Sequence, residues 1–215
     1  MVKTLIAANA LLLVSAFAIW KGRDNGEPKA AQAPAKVPTH TAADAAAIRS
    51  RLRGAASAAL PYARRHGLSA DVAFLLDMSL HSGRKRFFIY NLRADSVLAS
   101  GLVAHGSCNE EFLEEAVFSK VVACGCSAVG RYKIGQVYPG RFGTAYKLHG
   151  LDSSNRTAFA RYIVLHAYDC VPDREIAPEY LCNSRGCPMV SYAFLKTASG
   201  YIRQQKKPIL LWIYK

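Results

Sequence analysis

Toward its C-terminal end the chain carries Ser184-Arg185-Gly186-Cys187-Pro188, and upstream of it His166 closes the apolar run Tyr162-Ile163-Val164-Leu165. A thiol attacks a carbonyl as thiolate, so it needs an imidazole or another positive field nearby, and it needs backbone N–H groups to hold the oxyanion that forms. The two segments therefore predict a nucleophile, Cys187, and its base, His166, which takes the thiol proton and later delivers it to a leaving amine. Gly186 has no Cβ, so the backbone there can turn sharply and let a substrate carbonyl approach the Gly186 and Cys187 amides. Ser184 is expected to orient this loop.

These residues need rigid mounts. The run 162–166 is apolar on both alternating faces, which predicts an interior strand with His166 emerging at its end. Residues 192–205 fit a helix with Ser191 as a possible cap, and Pro208 leads into the apolar run 209–214, a closing core strand. Earlier in the chain, Ile48, Leu52, Ala55, Ala59 and Tyr62 recur at helical spacing from residue 42 toward Gly67. A second helix is expected from Ala70, burying Val72, Phe74, Leu75 and Met78 and stopping before Ser82-Gly83. The runs 87–90 and 97–104 predict a hairpin. A short helix is expected over 109–117, with Glu110, Glu111, Glu114 and Glu115 as its solvated face. From Gly125 to Gly150, glycines punctuate Tyr132, Tyr138, Phe142 and Tyr146, which suits short strands and tight turns.

The fold class expected is mostly β, an α+β arrangement, in one catalytic domain over residues 83–215. A helical segment over 41–82 packs on it. Residues 21–40, rich in Pro, Gly, Ala and Lys and poor in large apolar groups, form a flexible linker. Residues 1–20 hold an uncharged run from Thr4 to Trp20 behind Lys3, the pattern of a secretory signal or a membrane anchor. Either predicts export to the periplasm or cell envelope, and an anchor adds the membrane as a partner. Lys and Arg number 28 against 15 Asp and Glu, a formal charge of +13, which suits an anionic surface or simply solubility. No zinc-finger spacing, RNP-like stretch or basic helix with interleaved aromatics accompanies that charge, so no nucleic acid is expected as partner.

In order along the chain, Leu102-Val103-Ala104-His105-Gly106, Phe118-Ser119, Gly130-Arg131-Tyr132, Tyr138-Pro139-Gly140, Leu148-His149-Gly150-Leu151, Ile163-Val164-Leu165-His166 and Ser184-Arg185-Gly186-Cys187-Pro188 resemble the L,D-transpeptidase (YkuD-like) family, in its murein L,D-transpeptidase catalytic-domain branch. The resemblance runs from about Phe87 to the C-terminus. It implies a β-rich domain in which Cys187 is acylated by the L-centre carbonyl of diaminopimelate in a peptidoglycan stem peptide, expelling D-alanine. An amine acceptor then gives a cross-link, water gives carboxypeptidase activity, and a lipoprotein lysine gives attachment to the wall. It also implies reaction with carbapenems, and no metal or organic cofactor. The common family motif has His immediately before Gly-Cys, where this chain has Arg185. That guanidinium is either a fork for a stem-peptide carboxylate or a surface charge.

His105 and His149 each precede glycine, so each is a candidate substrate contact at a strand end or a local turn residue. Cys108, Cys124, Cys126, Cys170 and Cys182 remain, and export permits disulfides among them. Cys170 with Cys182 is the preferred pair because the two flank the loop between His166 and Cys187. Cys124-Gly125-Cys126 invites a zinc reading, but no second cysteine pair stands at finger spacing, and no metal site is expected. Sortase-like and papain-like enzymes also use Cys and His, but their order and spacing differ. A non-catalytic wall-binding module with an incidental thiol is the alternative of a different class.

Overall fold

The computed structural model describes residues 41–215, so the expected signal or anchor over 1–20 and the linker over 21–40 lie outside the described residues. Thr41 caps the first helix, α1 (Ala42–Arg65), in a reciprocal box: its side chain accepts from the Asp44 N–H while the Asp44 carboxylate accepts from the Thr41 N–H. Leu52, Ala55, Ala59 and Tyr62 form its buried stripe as the periodicity predicts, with Ala56 and Ala63 beside them.

Eight strands follow: β1 (Val72–Asp77), β2 (Phe87–Asn91), β3 (Ser96–Gly101), β4 (Gly130–Gly140), β5 (Gly143–Gly150), β6 (Val164–Ala167), β7 (Met189–Val190) and β8 (Leu210–Tyr214). A second helix, α2 (Tyr192–Gln204), precedes β8, with the Ser191 hydroxyl accepting from Phe194 N–H as its cap. The strands make one sheet in the order β3-β2-β1-β8-β4-β5-β6-β7. β1 runs parallel to β8 and β6 parallel to β7; the other pairs are antiparallel.

Alternation along β1 divides the core between the two faces of the sheet. Ala73 and Leu75 pack with Phe88, Tyr90 and Leu210 under α1. Phe74 and Leu76 face the larger cluster, which holds Phe87, Leu148, Leu165 and Leu211 together with Phe194, Leu195 and Ala198 of α2. The result is a helix-sheet-helix sandwich, mostly β as expected.

Two expected helices are absent. Residues 72–77 form β1, buried at every position, because both faces of a central strand must be apolar. The expected boundary at residue 82 therefore cuts through the sheet, where β1 pairs with both β2 and β8. Residues 109–117 are irregular. Their backbone is claimed by Asn183, whose Oδ1 accepts from Leu113 N–H at 2.6 Å and whose Nδ2 donates to Leu113 O at 3.0 Å. The glutamates there are exposed but on no helix face.

Among the described residues no helix is long and apolar enough to cross a membrane.

Candidate active site

His166 sits within β6, where its Cα partners Ala145 of β5 and Met189 of β7. It is thus held inside the sheet and is 7% exposed, more enclosed than the strand-end position expected for it. Its Nδ1 lies 3.0 Å from the Ala167 carbonyl. A carbonyl oxygen only accepts, so Nδ1 carries the proton and Nε2 keeps its lone pair. Phe142, from the turn between β4 and β5, stacks on the imidazole at 5.5 Å and meets Tyr168 edge-on at 4.8 Å. Burial lowers the His166 pKa, opposed by the Ala167 hydrogen bond.

Cys187 is a free thiol. Its Sγ accepts from Val164 N–H at 3.5 Å and donates to the Tyr162 carbonyl at 3.8 Å. Tyr162 reaches that position with φ at +56°, a left-handed conformation that costs a bulky residue of order 1 kcal/mol or more. Burial raises the Cys187 pKa, while the Val164 N–H and the Arg161 charge act against it. Both shifts favour the uncharged forms, and among the described residues no hydrogen bond joins the two side chains. Both line one groove of about 830 Å³, together with Arg141, Phe142, Tyr168 and Arg185.

The loop that carries the thiol is fixed from several sides. Ser184 is buried; its N–H donates to His105 O and its carbonyl accepts from Ser107 N–H, both at 2.8 Å. Its hydroxyl accepts from Gly186 N–H at 3.1 Å. That bond narrows another expectation: the Gly186 amide is occupied, whereas no acceptor among the described residues takes the Cys187 N–H. Gly186 has φ at +106°, and a Cβ there would lie 2.6 Å from the Cys126 carbonyl. Glycine is required on both counts. Ser127, fully buried, donates to Gly186 O at 3.3 Å and accepts from Gly106 N–H at 3.0 Å. The dipole of α2 is remote from the sulfur, since β7 and the Ser191 cap intervene.

Arg185 is exposed and rims the groove, with no ion pair among the described residues. The other two predicted contacts are elsewhere. His105 is 0% exposed; its Nδ1 accepts from Arg86 at 2.9 Å and its Nε2–H donates to Leu113 O at 3.2 Å. Burial and the Arg86 charge lower its pKa to about 4. It is a structural residue, with both nitrogens consumed. His149 stacks on Phe159 at 4.9 Å and lines a different groove with Lys133, Lys206 and Lys207.

Cys170 and Cys182 are bonded as expected, bracing the chain between His166 and Cys187. Cys108 and Cys126 form a second disulfide, which removes the Cys124–Cys126 zinc reading because Cys126 has no thiolate to offer. Among the described residues no group of His, Cys, Asp or Glu is disposed to hold a metal.

Sequence reasoning missed Phe142, Arg141, Arg161 and Ser127. For the first two, the flanking Gly140 and Gly143 were the available sign of a hairpin turn. Arg161 donates to the carbonyls of Ser119 and Cys126 and brings its charge to the thiol. Nothing local in the sequence marks it.

A search of curated proteins finds no match. Among solved structures, the helical cell shape determining protein Pgp2 from Campylobacter jejuni (K307A mutant) is similar at 14% identity and a TM-score of 0.41, over 69% of this chain and 49% of that one. An L,D-transpeptidase (residues 123–326) from Xylanimonas cellulosilytica is similar at 10% identity and a TM-score of 0.36, over 66% of this chain and 60% of that one. The chain thus spans about half the length of Pgp2. The model of the L,D-transpeptidase catalytic domain matches residues 44–214, from the first turn of α1 to the end of β8, and the chain belongs to that family.

Proposed function

We propose that this protein is a cysteine-dependent L,D-transpeptidase that acts on peptidoglycan stem peptides from within the cell envelope. The observation that carries this reading is the placement of a free Cys187 thiol and a His166 with an unprotonated Nε2 on one open groove. In the first half-reaction the sulfur leaves the Tyr162 carbonyl, passes its proton to His166 and bonds to the substrate carbonyl carbon. The amide C–N bond breaks, and His166 returns the proton to the departing amine of D-alanine, leaving a thioester. In the second, an acceptor amine gives its proton to His166 as it attacks the thioester, and the proton returns to sulfur. The Cys187 N–H is the backbone donor available to the oxyanion.

Burial favours the uncharged form of each group, which suits His166 as a general base at the moment of attack rather than as the partner of a preformed thiolate. Arg141 and Arg185 rim the groove as bidentate forks for substrate carboxylates. Two disulfides support an oxidising, exported location.

Incubation with a carbapenem followed by intact mass is the test. One adduct on Cys187, lost in Cys187→Ala, and D-alanine release from a tetrapeptide substrate are expected. If neither forms while the protein still binds cell walls, it is a wall-binding module with an incidental thiol.

A further inference from the structure

Beyond the edge of α1, the sheet face that α1 covers continues over β4 and β5 as a cationic strip. Lys133 and His149 are directly opposed across β4 and β5, and Lys147 precedes His149 by two residues, so all three side chains leave the sheet on one side. Lys147 is opposed by Val164 of β6, and His166 by Ala145. The strip therefore runs on the same face as the strand that carries the proposed base and supports the Cys187 sulfur.

At its far end the strip opens into a groove of about 470 Å³, to which the connection from α2 to β8 adds Lys206 and Lys207. No carboxylate lines this groove, and none of these four lysines has an ion pair among the described residues. The positive field is felt locally: burial and the charges of Lys133 and Lys147 lower the His149 pKa. The groove is built rather than incidental. Gly135 lets the His149 ring lie on β4, since a Cβ there would stand 2.5 Å from Nε2. Phe159, 52% exposed, stacks on that ring, and Lys147 Nζ lies 5.2 Å from the Phe159 centroid.

We propose that Lys133, Lys147, Lys206 and Lys207 form a binding site for the anionic peptidoglycan strand, holding the polymer beside the groove in which Cys187 acts. Lysine ammonium groups are point charges without a fork, which suits anions repeated along a flexible polymer rather than one carboxylate gripped in fixed geometry. An exposed aromatic ring beside them suits sugar rings, and a concave groove admits a strand where a bilayer surface has no entry. The inference rests on the proposed function in taking the wall strand as the polymer.

Co-sedimentation of the full chain carrying Cys187→Ala with purified sacculi tests it without turnover. K133E/K147E should weaken retention by about tenfold or more, and raised salt should erase the difference, because the attraction is screened. K206E/K207E, on an exposed connection where folding is not at stake, should weaken retention in the same direction. Retention unchanged in the second variant, or seen on vesicles of anionic phospholipid in place of sacculi, overturns the proposal. If the wild-type thiol is not acylated by a carbapenem but lysine-dependent retention on sacculi persists, the catalytic reading falls and this site stands.

Discussion

His166 and His105 flank the same stretch of chain. Met189 pairs with His166 through the β6–β7 ladder on one side and with Ala104 through an isolated bridge on the other. Both imidazoles are buried, and both have pKa values lowered by that burial. They differ in what their nitrogens do. His166 donates from Nδ1 to its own strand and leaves Nε2 open beside a groove. His105 accepts from Arg86 with one nitrogen and donates to Leu113 with the other. Arg86 is itself buried and lies against the Val103 and Leu80 carbonyls rather than a carboxylate. In the proposed function one imidazole is a reagent, while the other is a bracket for the backbone that holds Ser184. The residue type does not distinguish them, and the count of uncommitted lone pairs does.

The largest effect that breaks or sharpens this contrast is on rate. His166→Gln should slow carbapenem acylation by about 10²- to 10⁴-fold, the usual worth of a positioned base, with the thermal midpoint little changed. Time-resolved intact mass measures it, and a loss below about tenfold would remove His166 from the chemistry.

Next in size is a stability effect assigned to His105. Its folded pKa of about 4 stands below the ordinary 6.5, so between those values the unfolded chain holds the extra proton. Stability is then complete above about pH 6.5 and falls as pH drops toward 4, by about 3 kcal/mol in total. Denaturant titrations at stepped pH should show this window in the wild type and a flatter profile in His105→Gln, which still forms the Cys187 adduct. Equal pH slopes in the two proteins would contradict the assignment.

The smallest effect concerns the ring over the base. In the wild type the acid limb of the acylation rate should lie below the ordinary histidine range, because His166 must be neutral to accept a proton and its pKa is lowered chiefly by burial. Phe142→Ala uncovers the imidazole and should move that limb upward by less than about one pH unit. A limb that stays in place would mean that the stack does not control the base.

How much of this was legible depended on whether a residue's fate is decided locally. Ser191 and α2, the β2–β3 hairpin and the β8 core run carry their own periodicity and caps, and they form where expected. The residues Val72, Phe74, Leu75 and Met78 fit helical spacing equally well, yet β1 is buried on both faces, a case in which periodicity has no power to decide. That Cys187 and His166 share a groove was legible because chemistry restricts the types and loop context of the residues proposed for these roles. His149 was not, because His-Gly at a strand end says nothing about which groove lies beneath it. Nor was the irregular path of 109–117, whose partner Asn183 is distant in sequence.

β8 pairs parallel with β1 and antiparallel with β4, and this has a consequence for how the molecule is made. β8, last of the sheet's strands in chain order, is the seam between β3-β2-β1 and β4-β5-β6-β7. Until it arrives, the nascent chain is two unjoined ribbons with raw edges toward each other, and the sheet closes only after synthesis has passed Tyr214. Until then both edges must be kept from pairing with other chains.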